Sequence, residues 1–293
     1  MQTLITIIVT LLASAVFAIV GTCLGCLIAG LDRKITARMQ GRVGPPILQP
    51  YYDVRKLLEK QRVSVNSVMG SYLTWALLFT FVSGGIFFSG GNLLLCVFII
   101  TLAELLFIMA AWSGRSPYSD VGASRETLQV MAYEPMVLLL AVGFFLATGS
   151  FDSSAVLGLD IPMVGPTIGV FFGLLFVLTI KLRKSPFDLS YSHHAHQDLV
   201  KGVTTEMSGP MLAKVEVMHW CETVLFMGWV GMFFVWASPW CIPVVIVALA
   251  LIYLFEIWID NNFARVKWQA MLKWSWIVTL VAAGLNIALL IYL

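Results

Sequence analysis

Long apolar runs constrain this chain more than any other feature of its sequence. Eight runs come close to the length of about 20 residues that a helix needs to cross roughly 30 Å of hydrocarbon, with polar connections between them. Only 12% of the residues are charged, about half the usual share in soluble domains. The sequence therefore predicts an all-α integral membrane protein with about eight transmembrane helices in a single polytopic domain, 1–293. The predicted spans are centred on Leu4–Leu27, Tyr72–Phe88, Leu93–Trp112, Thr127–Ala147, Ile161–Ile180, Val215–Trp236, Pro239–Ile259 and Leu272–Tyr292.

The basic residues indicate how the chain is oriented in the membrane. All 18 Lys and Arg residues fall in four polar segments, at about 28–71, 113–126, 181–214 and 260–273. Because short cytoplasmic loops carry the excess of Lys and Arg, we expect these segments to be cytoplasmic and both termini to lie outside. The first apolar run has no basic residue before it, unlike a cleavable signal peptide. No basic patch of the kind that binds nucleic acid is present.

A polar segment after the first apolar run predicts a helix at the membrane surface. Gly41, Gly44 and Pro45 interrupt any helix, and apolar residues then recur near helical spacing from Ile47 to Lys60. This pattern is typical of an amphipathic helix that lies in the headgroup plane on the cytoplasmic side. An ordinary lipid-facing surface helix is the alternative.

Acidic residues within or beside the apolar runs are the main candidates for function. An ionised carboxylate at the bilayer centre costs at least about 2.5 kcal/mol, so such residues usually face the bundle interior and serve a function. A line of carboxylates entering the membrane from the cytoplasm is what a proton relay requires. The candidate ion relay consists of Glu104, Glu126, Glu134, Glu206, Glu216, His219, Glu222, Glu256 and Asp260.

Helical spacing divides these candidates, and some have structural alternatives. Glu126 and Glu134 share a broad helix face, as do Glu216 and His219, whereas Glu222 points elsewhere. A neutral, hydrogen-bonded structural role stays open for Glu104. Anchoring of a span at the cytoplasmic interface stays open for Glu256 and Asp260.

The cytoplasmic segment 181–214 contains three clustered histidines. His193, His194 and His196 could ligate a metal, but adjacent histidines diverge on a helix and no cysteine is near. We favour interfacial hydrogen bonding or proton handling, which suits imidazole, over metal binding or a plain polar loop.

The cysteines indicate packing. Cys23 and Cys26 form a CxxC pair, but the four-thiolate set that holds an iron–sulfur cluster is missing. Together with Gly21, Gly25 and Gly30 they are typical of small residues at a helix interface. We therefore expect no cofactor bound by this chain alone.

Three motif blocks resemble the heel subunit family of complex I. The first, R-x-Q-G-R-x-G-P followed by L-Q-P-x-x-D-x-x-K-L, runs from Arg38 to Leu57. The second contains P-F-D-L, D-L-V-K-G and E-M-S-G between Pro186 and Gly209. The third, G-A-S-R-E…Y-E-P, places Glu134 where the family has a polar-channel glutamate.

Departures from the complex I pattern favour one branch of this family. The spacer between G-P and L-Q is only Pro46–Ile47, and the acidic E-x-E-x-E run is replaced by a segment with three histidines. Both features are similar to the large membrane subunit of Ech-type energy-converting NiFe hydrogenases. The resemblance implies a membrane-anchoring, ion-coupling subunit, non-catalytic itself, in the plasma membrane of a bacterium or archaeon.

The resemblance also implies partners and a docking surface. The partners would be the NiFe-hydrogenase large and small subunits, a ferredoxin-like iron–sulfur subunit and an antiporter-like membrane subunit, with the iron–sulfur clusters and the nickel–iron centre held by those partners. The coupling ion, H⁺ or Na⁺, is left open. A quinone-site heel subunit of a complex I-type dehydrogenase is the alternative, and a stand-alone ion carrier a third hypothesis. The expected docking residues are Arg38, Arg42, Asp53, Lys56, Arg125, Asp188, His193, His194, His196 and Asp198.

Overall fold

A computed structural model of the protein describes residues 2–61, 66–190 and 201–292, and this part of the chain is almost entirely helical. A π-helical segment, Thr279–Gly284, joins the last two helices. The expected docking residues His193, His194, His196 and Asp198 lie outside the described residues. The helices are α1 Gln2–Met39, α2 Gln49–Glu59, α3 Ser67–Phe88, α4 Leu93–Trp112, α5 Pro117–Thr148, α6 Ile168–Lys181, α7 Pro210–Met232, α8 Cys241–Asn262, α9 Trp268–Val278 and α10 Leu285–Tyr292.

The structure confirms an all-α integral membrane protein, while the number of spans stays a prediction. Within the described residues, 6 helices are long and apolar enough to cross a membrane. Helix α6 has 14 residues, about 21 Å, because Pro162 and Pro166 delay its start beyond the predicted Ile161. Helix α7 carries Lys214, Glu216 and Glu222, and is not among the six. The six spans are Thr6–Met39, Val68–Phe88, Leu93–Trp112, Pro117–Thr148, Cys241–Asn262 and Trp268–Tyr292.

The core lies between α4, α5 and α7, and the other helices surround it. In α4 and α5, half of the most apolar stretch of the helix is buried, whereas the corresponding share is 11% in α8 and 17% in α1. Large fully buried side chains of this centre include Phe107, Phe144 and Trp229. The polar side chains of α4, α5 and α7 that point into this centre, such as Glu104, Glu126 and Glu222, are thus far from the outer surface of the bundle.

Glycines set the close contacts of α1. A Cβ atom built on Gly25 would lie 2.5 Å from the carbonyl oxygen of Trp220 in α7, and one on Gly30 would collide with the carbonyl oxygen of Ile47. No side chain fits at such distances, so these positions require glycine. The predicted packing role of the glycines in α1 is confirmed at Gly25 and Gly30.

The predicted amphipathic helix is present as α2, slightly shorter than expected. It buries Pro50 and Val54, and Val54 packs with Cys26 and Trp220. Tyr51 is 53% exposed on the other side. Helix α2 is therefore fastened to α1 and α7 through its apolar face, and its position in the headgroup plane stays a prediction.

The four basic segments come together at one end of the bundle. Lys184 pairs with Asp32, and Arg265 pairs with Asp188, so segment 181–214 contacts both 28–71 and 260–273. The Glu206 carboxylate accepts a hydrogen bond from a backbone N–H of segment 113–126. The predicted grouping of these segments is confirmed.

The remaining connections meet at the opposite end. The backbone N–H of Leu93 donates to Phe151 at 2.8 Å, and that of Ala237 donates to Leu159 at 2.9 Å. These bonds join the predicted outer connections to one another. The assignment of this end to the outside stays a prediction.

Candidate functional site

Three carboxylates from three helices meet inside the core. Glu104 comes from α4, Glu126 from α5 and Glu222 from α7, and their exposed fractions are 0%, 3% and 3%. The apolar sequence around each residue forms the helix that carries it to this depth. Because buried acids without counter-charges are unstable in a low-dielectric interior, this arrangement requires cations nearby.

The cations come from the end of α6 and the residues after it. The Lys181 ammonium contacts Glu104 directly and lies 3.4 Å from Glu222. The Arg183 guanidinium lies 2.7 Å from Glu126, 3.6 Å from Glu104 and 3.8 Å from Glu222. We call these five residues the buried charge cluster.

Aromatic rings complete the surroundings of the two cations. The Lys181 ammonium lies 5.2 Å from the centre of the Tyr133 ring and 5.3 Å from that of Phe226. Arg183 lies 5.7 Å from the centre of the Phe107 ring. Ring faces attract cations, so these rings help to hold both side chains inside the bundle.

A cavity of about 820 Å³ reaches the buried charge cluster. Lys181, Arg183 and Glu222 form its inner wall, and the exposed residues Gln40 and Arg42 form its rim. Most of the other lining side chains are polar or charged, including several from one face of α1. The cavity therefore connects the cluster with the end of the bundle where the basic segments lie.

Three polar side chains that line the cavity, Asp32, Lys184 and Tyr253, connect α1 with α8. Lys184 Nζ donates to Asp32 Oδ1 at 3.0 Å and lies 4.8 Å from the centre of the Tyr253 ring. The Tyr253 hydroxyl donates to Asp32 Oδ2 at 3.3 Å. The loop after α6 is also fixed to α8, because Asp260 accepts from the backbone N–H of Ser185 at 2.8 Å.

The predicted relay residues divide into three groups. Glu104, Glu126 and Glu222 belong to the buried charge cluster, and Glu216, His219 and Asp260 line the cavity beside it. Glu256 is buried on α8 next to Thr179, whose hydroxyl lies 3.5 Å from its carboxylate. Glu134 and Glu206 are partly exposed and lie outside both the cluster and the cavity lining.

One expectation about helix faces is corrected by the structure. Helical spacing predicts that Glu222 points away from Glu216, yet both residues line the cavity. The cavity wall occupies a broad sector of α7, so side chains that are roughly 120° apart around the helix both reach it.

The predicted docking residues are not all on a surface. Arg38, Arg42 and Lys56 are exposed. Asp188 is only 5% exposed and binds Arg265 at 2.8 Å, so the structure places it inside the chain.

The other two docking candidates also make contacts within the chain. Asp53 pairs with Arg33 at 2.6 Å, and Arg125 donates to the carbonyl oxygen of Leu189 at 3.3 Å. Both remain partly exposed.

Sequence reasoning misses the cationic half of the site. In the sequence, Lys181, Arg183 and Lys184 are basic loop residues that indicate only sidedness, and nothing distinguishes Asp32 or Tyr253. The available signal is charge balance, because several buried acids require buried cations. Within the described ranges, no group of three or more His, Cys, Asp or Glu side chains is arranged to hold a metal ion.

Comparisons with known proteins agree on one family. The sequence model of the family described as NADH dehydrogenase matches residues 11–291. Hydrogenase-4 component C of Escherichia coli (strain K12) is 31% identical over 204 residues, covering 64% of this chain and 63% of that relative, just under two thirds of its length. Formate hydrogenlyase subunit 4 of the same organism is 27% identical over 286 residues, covering 85% and 89%. A subunit of the NADH-quinone oxidoreductase of Dehalococcoides mccartyi (strain CBDB1) is 26% identical over 276 residues, covering 84% and 76%.

A solved structure shares the fold. It is described as the membrane-bound sulfane sulfur reductase (MBS), an archaeal respiratory membrane complex. One of its chains superimposes with a TM-score of 0.84 at 20% identity, covering 96% of this chain and 99% of that one. The arrangement of helices around the cavity is therefore that of an established fold.

Proposed function

The chain belongs to the NADH dehydrogenase family of membrane subunits of oxidoreductase complexes, and from this premise we propose that it anchors an energy-converting NiFe hydrogenase in the membrane and couples the hydrogenase reaction to ion transport. In this proposal, the soluble subunits oxidise ferredoxin and reduce protons to hydrogen. The iron–sulfur clusters and the nickel–iron centre are held by those subunits, and this chain is not itself catalytic. An antiporter-like membrane subunit is the further partner.

The observation that carries the proposal is the buried charge cluster at the end of the cavity. Five ionisable side chains with exposed fractions of 6% or less serve no purpose in anchoring a complex, and each is costly to bury. A change of charge in the docked subunits acts strongly on these side chains, because electrostatic interactions are stronger in a low-dielectric interior. This is the property that coupling requires.

The exposed basic residues at the cavity end support the docking part of the proposal. Arg38, Arg42 and Lys56 are exposed, whereas Asp188 is held in a pair with Arg265. We propose that they contact the hydrogenase arm. The relatives named hydrogenase-4 component C and formate hydrogenlyase subunit 4 support a hydrogenase as the partner.

The cavity lining bears on the quinone alternative. Small-molecule pockets are lined mainly by apolar and aromatic side chains with a few polar groups. Here charged residues such as Lys184, Asp260 and Arg265 stand beside apolar ones such as Leu182 and Trp220. This mixed lining offers polar groups for water and leaves the choice between the two functions to experiment.

Glu104→Gln tests the coupling role. The change leaves two carboxylates against two cations, so the remaining charges balance and the complex is expected to assemble. In inverted membrane vesicles supplied with reduced ferredoxin, hydrogen evolution should continue while the ion gradient falls at least tenfold. The matched control is Glu59→Gln, which alters an exposed carboxylate on α2.

Two outcomes would contradict the proposal. An undiminished gradient in Glu104→Gln vesicles would remove the cluster from the coupling path. A purified complex that lacks hydrogenase subunits and reduces added quinone would replace the hydrogenase assignment with the heel subunit of a quinone-dependent dehydrogenase.

A further inference from the structure

Helix α6 brings Lys181 and Arg183 to the buried charge cluster, so its position along its own axis decides where these two cations lie. The middle of α6, residues 170–178, contains only apolar residues and glycine. Contacts between apolar side chains are not directional, so they resist sliding of a helix less than hydrogen bonds do. The axial position of α6 therefore depends on the polar contacts at its two ends.

At one end, these contacts are those of the site itself. The Thr179 hydroxyl lies 3.5 Å from the carboxylate of Glu256, and Lys181 and Arg183 contact the carboxylates of the cluster. These ion pairs are the geometry that the position of α6 has to satisfy. A second anchor at the opposite end holds the helix between two fixed points.

At that opposite end, α6 is capped by a side chain from another helix. Its N-cap residue, Thr167, makes no side-chain cap hydrogen bond within the described residues. Instead, Oδ1 of Asn286 in α10 accepts from the backbone N–H of Val170 at 3.3 Å. The Nδ2 atom of Asn286 donates to the carbonyl oxygen of Pro166 at 3.1 Å. Because the first N–H groups of a helix have no partner within that helix, Asn286 supplies a bond that the local sequence does not.

The π-helical segment that precedes Asn286 also touches the start of α6. A Cβ atom built on Gly169 would collide with the carbonyl oxygen of Ala282, which lies in this segment. Only glycine fits at this contact, so the backbones of the two elements are in direct register. π-Helical turns are rare and occur frequently at functional sites. Both contacts with the start of α6 thus come from one unusual stretch of the last apolar run.

The sequence around Asn286 indicates that its amide has a specific purpose. Between Leu280 and Ile291, Asn286 is the only residue with a polar side chain. A polar group in an apolar environment is costly unless it is hydrogen-bonded, and such groups in membrane helices commonly bond to a neighbouring helix. The irregular backbone before α6, at 161–167, in turn needs partners within the protein if it is to lie at membrane depth. The two needs are met by the same pair of hydrogen bonds.

We propose that Asn286 is a positioning residue of the buried charge cluster: it caps α6 from α10, fixes the axial position of α6 and thereby places Lys181 and Arg183 among the carboxylates. About 16 Å of helix separates Val170 from Lys181, so Asn286 acts on the cations through the helix. This role stands whatever the cluster is used for, and only its bearing on ion coupling rests on the function proposed above.

Thermal unfolding of the purified, detergent-solubilised complex tests this role in two backgrounds. Asn286→Leu keeps the approximate size of the side chain and removes both hydrogen bonds, so it should lower the unfolding temperature of the otherwise unchanged protein. The second background combines Arg183→Gly with Glu126→Gln, and so lacks the guanidinium and its closest carboxylate. There, Asn286→Leu should lower the unfolding temperature by no more than half as much. If this background fails to assemble, Glu126→Gln alone takes its place, and the effect of Asn286→Leu should again be smaller.

The comparison is diagnostic because substitutions at distant sites without shared partners normally have additive effects. Asn66→Ala is the matched control. Asn66 caps α3 by accepting from the backbone N–H of Val68 at 3.0 Å, and α3 carries no member of the cluster. The effect of Asn66→Ala on the unfolding temperature should therefore be the same in both backgrounds.

Two results would overturn the proposal. Equal effects of Asn286→Leu in the two backgrounds would make Asn286 a local cap of α6 that does not act on the cluster. An effect of Asn66→Ala that shrinks to the same degree would attribute the difference to the lower stability of the second background. Because neither hydrogenase activity nor ion transport is measured, the outcome is independent of the hydrogenase assignment.

Discussion

Arg183 occupies a backbone conformation that its residue type disfavours. Its φ angle is 52°, in the left-handed region that costs a non-glycine residue roughly 1–2 kcal/mol. Its guanidinium lies within 4 Å of Glu104, Glu126 and Glu222. The free energy of these side-chain contacts therefore offsets the cost of the backbone conformation at Arg183.

Arg183→Gly separates these two contributions. Glycine relieves the backbone, but the loss of the guanidinium leaves three buried carboxylates with Lys181 as their one remaining cation in the cluster, which should destabilise the protein by about 3–5 kcal/mol. Thermal unfolding of the detergent-solubilised complex measures the change.

A second change restores part of this loss. Adding Glu126→Gln to Arg183→Gly removes the carboxylate closest to the missing guanidinium, and the double variant should be more stable than Arg183→Gly alone. Arg55→Gln, which breaks an exposed pair with Glu59, should change stability by less than about 1 kcal/mol. Equal effects of Arg183→Gly and Arg55→Gln would show that the cluster contributes no stability.

Residue types alone predict the acids of the site but not their cations. A glutamate within an apolar run, such as Glu104, is conspicuous because acidic residues are rare in membrane-spanning segments. Lys181 and Arg183 stand at the end of an apolar run, where the positive-inside rule already accounts for a basic residue. Their burial depends on how the residues after α6 turn back into the bundle, and no local pattern records that turn.

At the scale of helices, hydropathy locates the spans but not their ends. Helix α5 begins at Pro117, ten residues before the predicted Thr127, because its polar first turns pack against the loops at the end where the basic segments lie. Gly122 shows this contact, since its position faces the backbone of Val203. Apolar content marks where a helix crosses lipid, whereas helix ends depend on capping and on contacts with other segments.

The contact of α1 with α7 supplies the prediction at this scale. Gly25→Ala places a methyl group against the backbone of Trp220 and should lower stability by about 1–3 kcal/mol, because backbone cannot move aside as a side chain does. Gly158→Ala is the control, since nothing lies within 4 Å of the added Cβ. Unfolding of both variants in detergent provides the comparison. Equal stabilities would mean that α1 shifts freely against α7.

At the scale of the whole molecule, the basic segments and the other connections lie at opposite ends of the helix bundle. The basic segments meet at one end, and the connections held by Leu93 and Ala237 meet at the other. The sequence predicts this division because sidedness depends on the count of Lys and Arg in each loop. It does not predict the cavity, which exists only because α1, α7, α8 and the loop after α6 enclose it.

Cys241 provides a native probe of this orientation. It begins α8 at the end opposite the basic segments and is partly exposed. A charged, membrane-impermeant thiol reagent should label it in intact cells or right-side-out vesicles, and Cys241→Ser should abolish that labelling. A cysteine introduced by Glu59→Cys at the other end should react only in inverted vesicles. The reverse pattern would place the basic end outside the cytoplasm.

The order in which the cluster is delivered has a consequence for biogenesis. During synthesis, α4 and α5 bring Glu104 and Glu126 into the membrane before their cations exist, and Arg183 follows Glu126 by 57 residues. Acids at membrane depth without counter-cations are costly, so we expect a nascent chain that stops after α5 to integrate poorly into the membrane. Synthesis of α6 and the residues after it supplies Lys181 and Arg183, so the buried acids gain their counter-charges at this step.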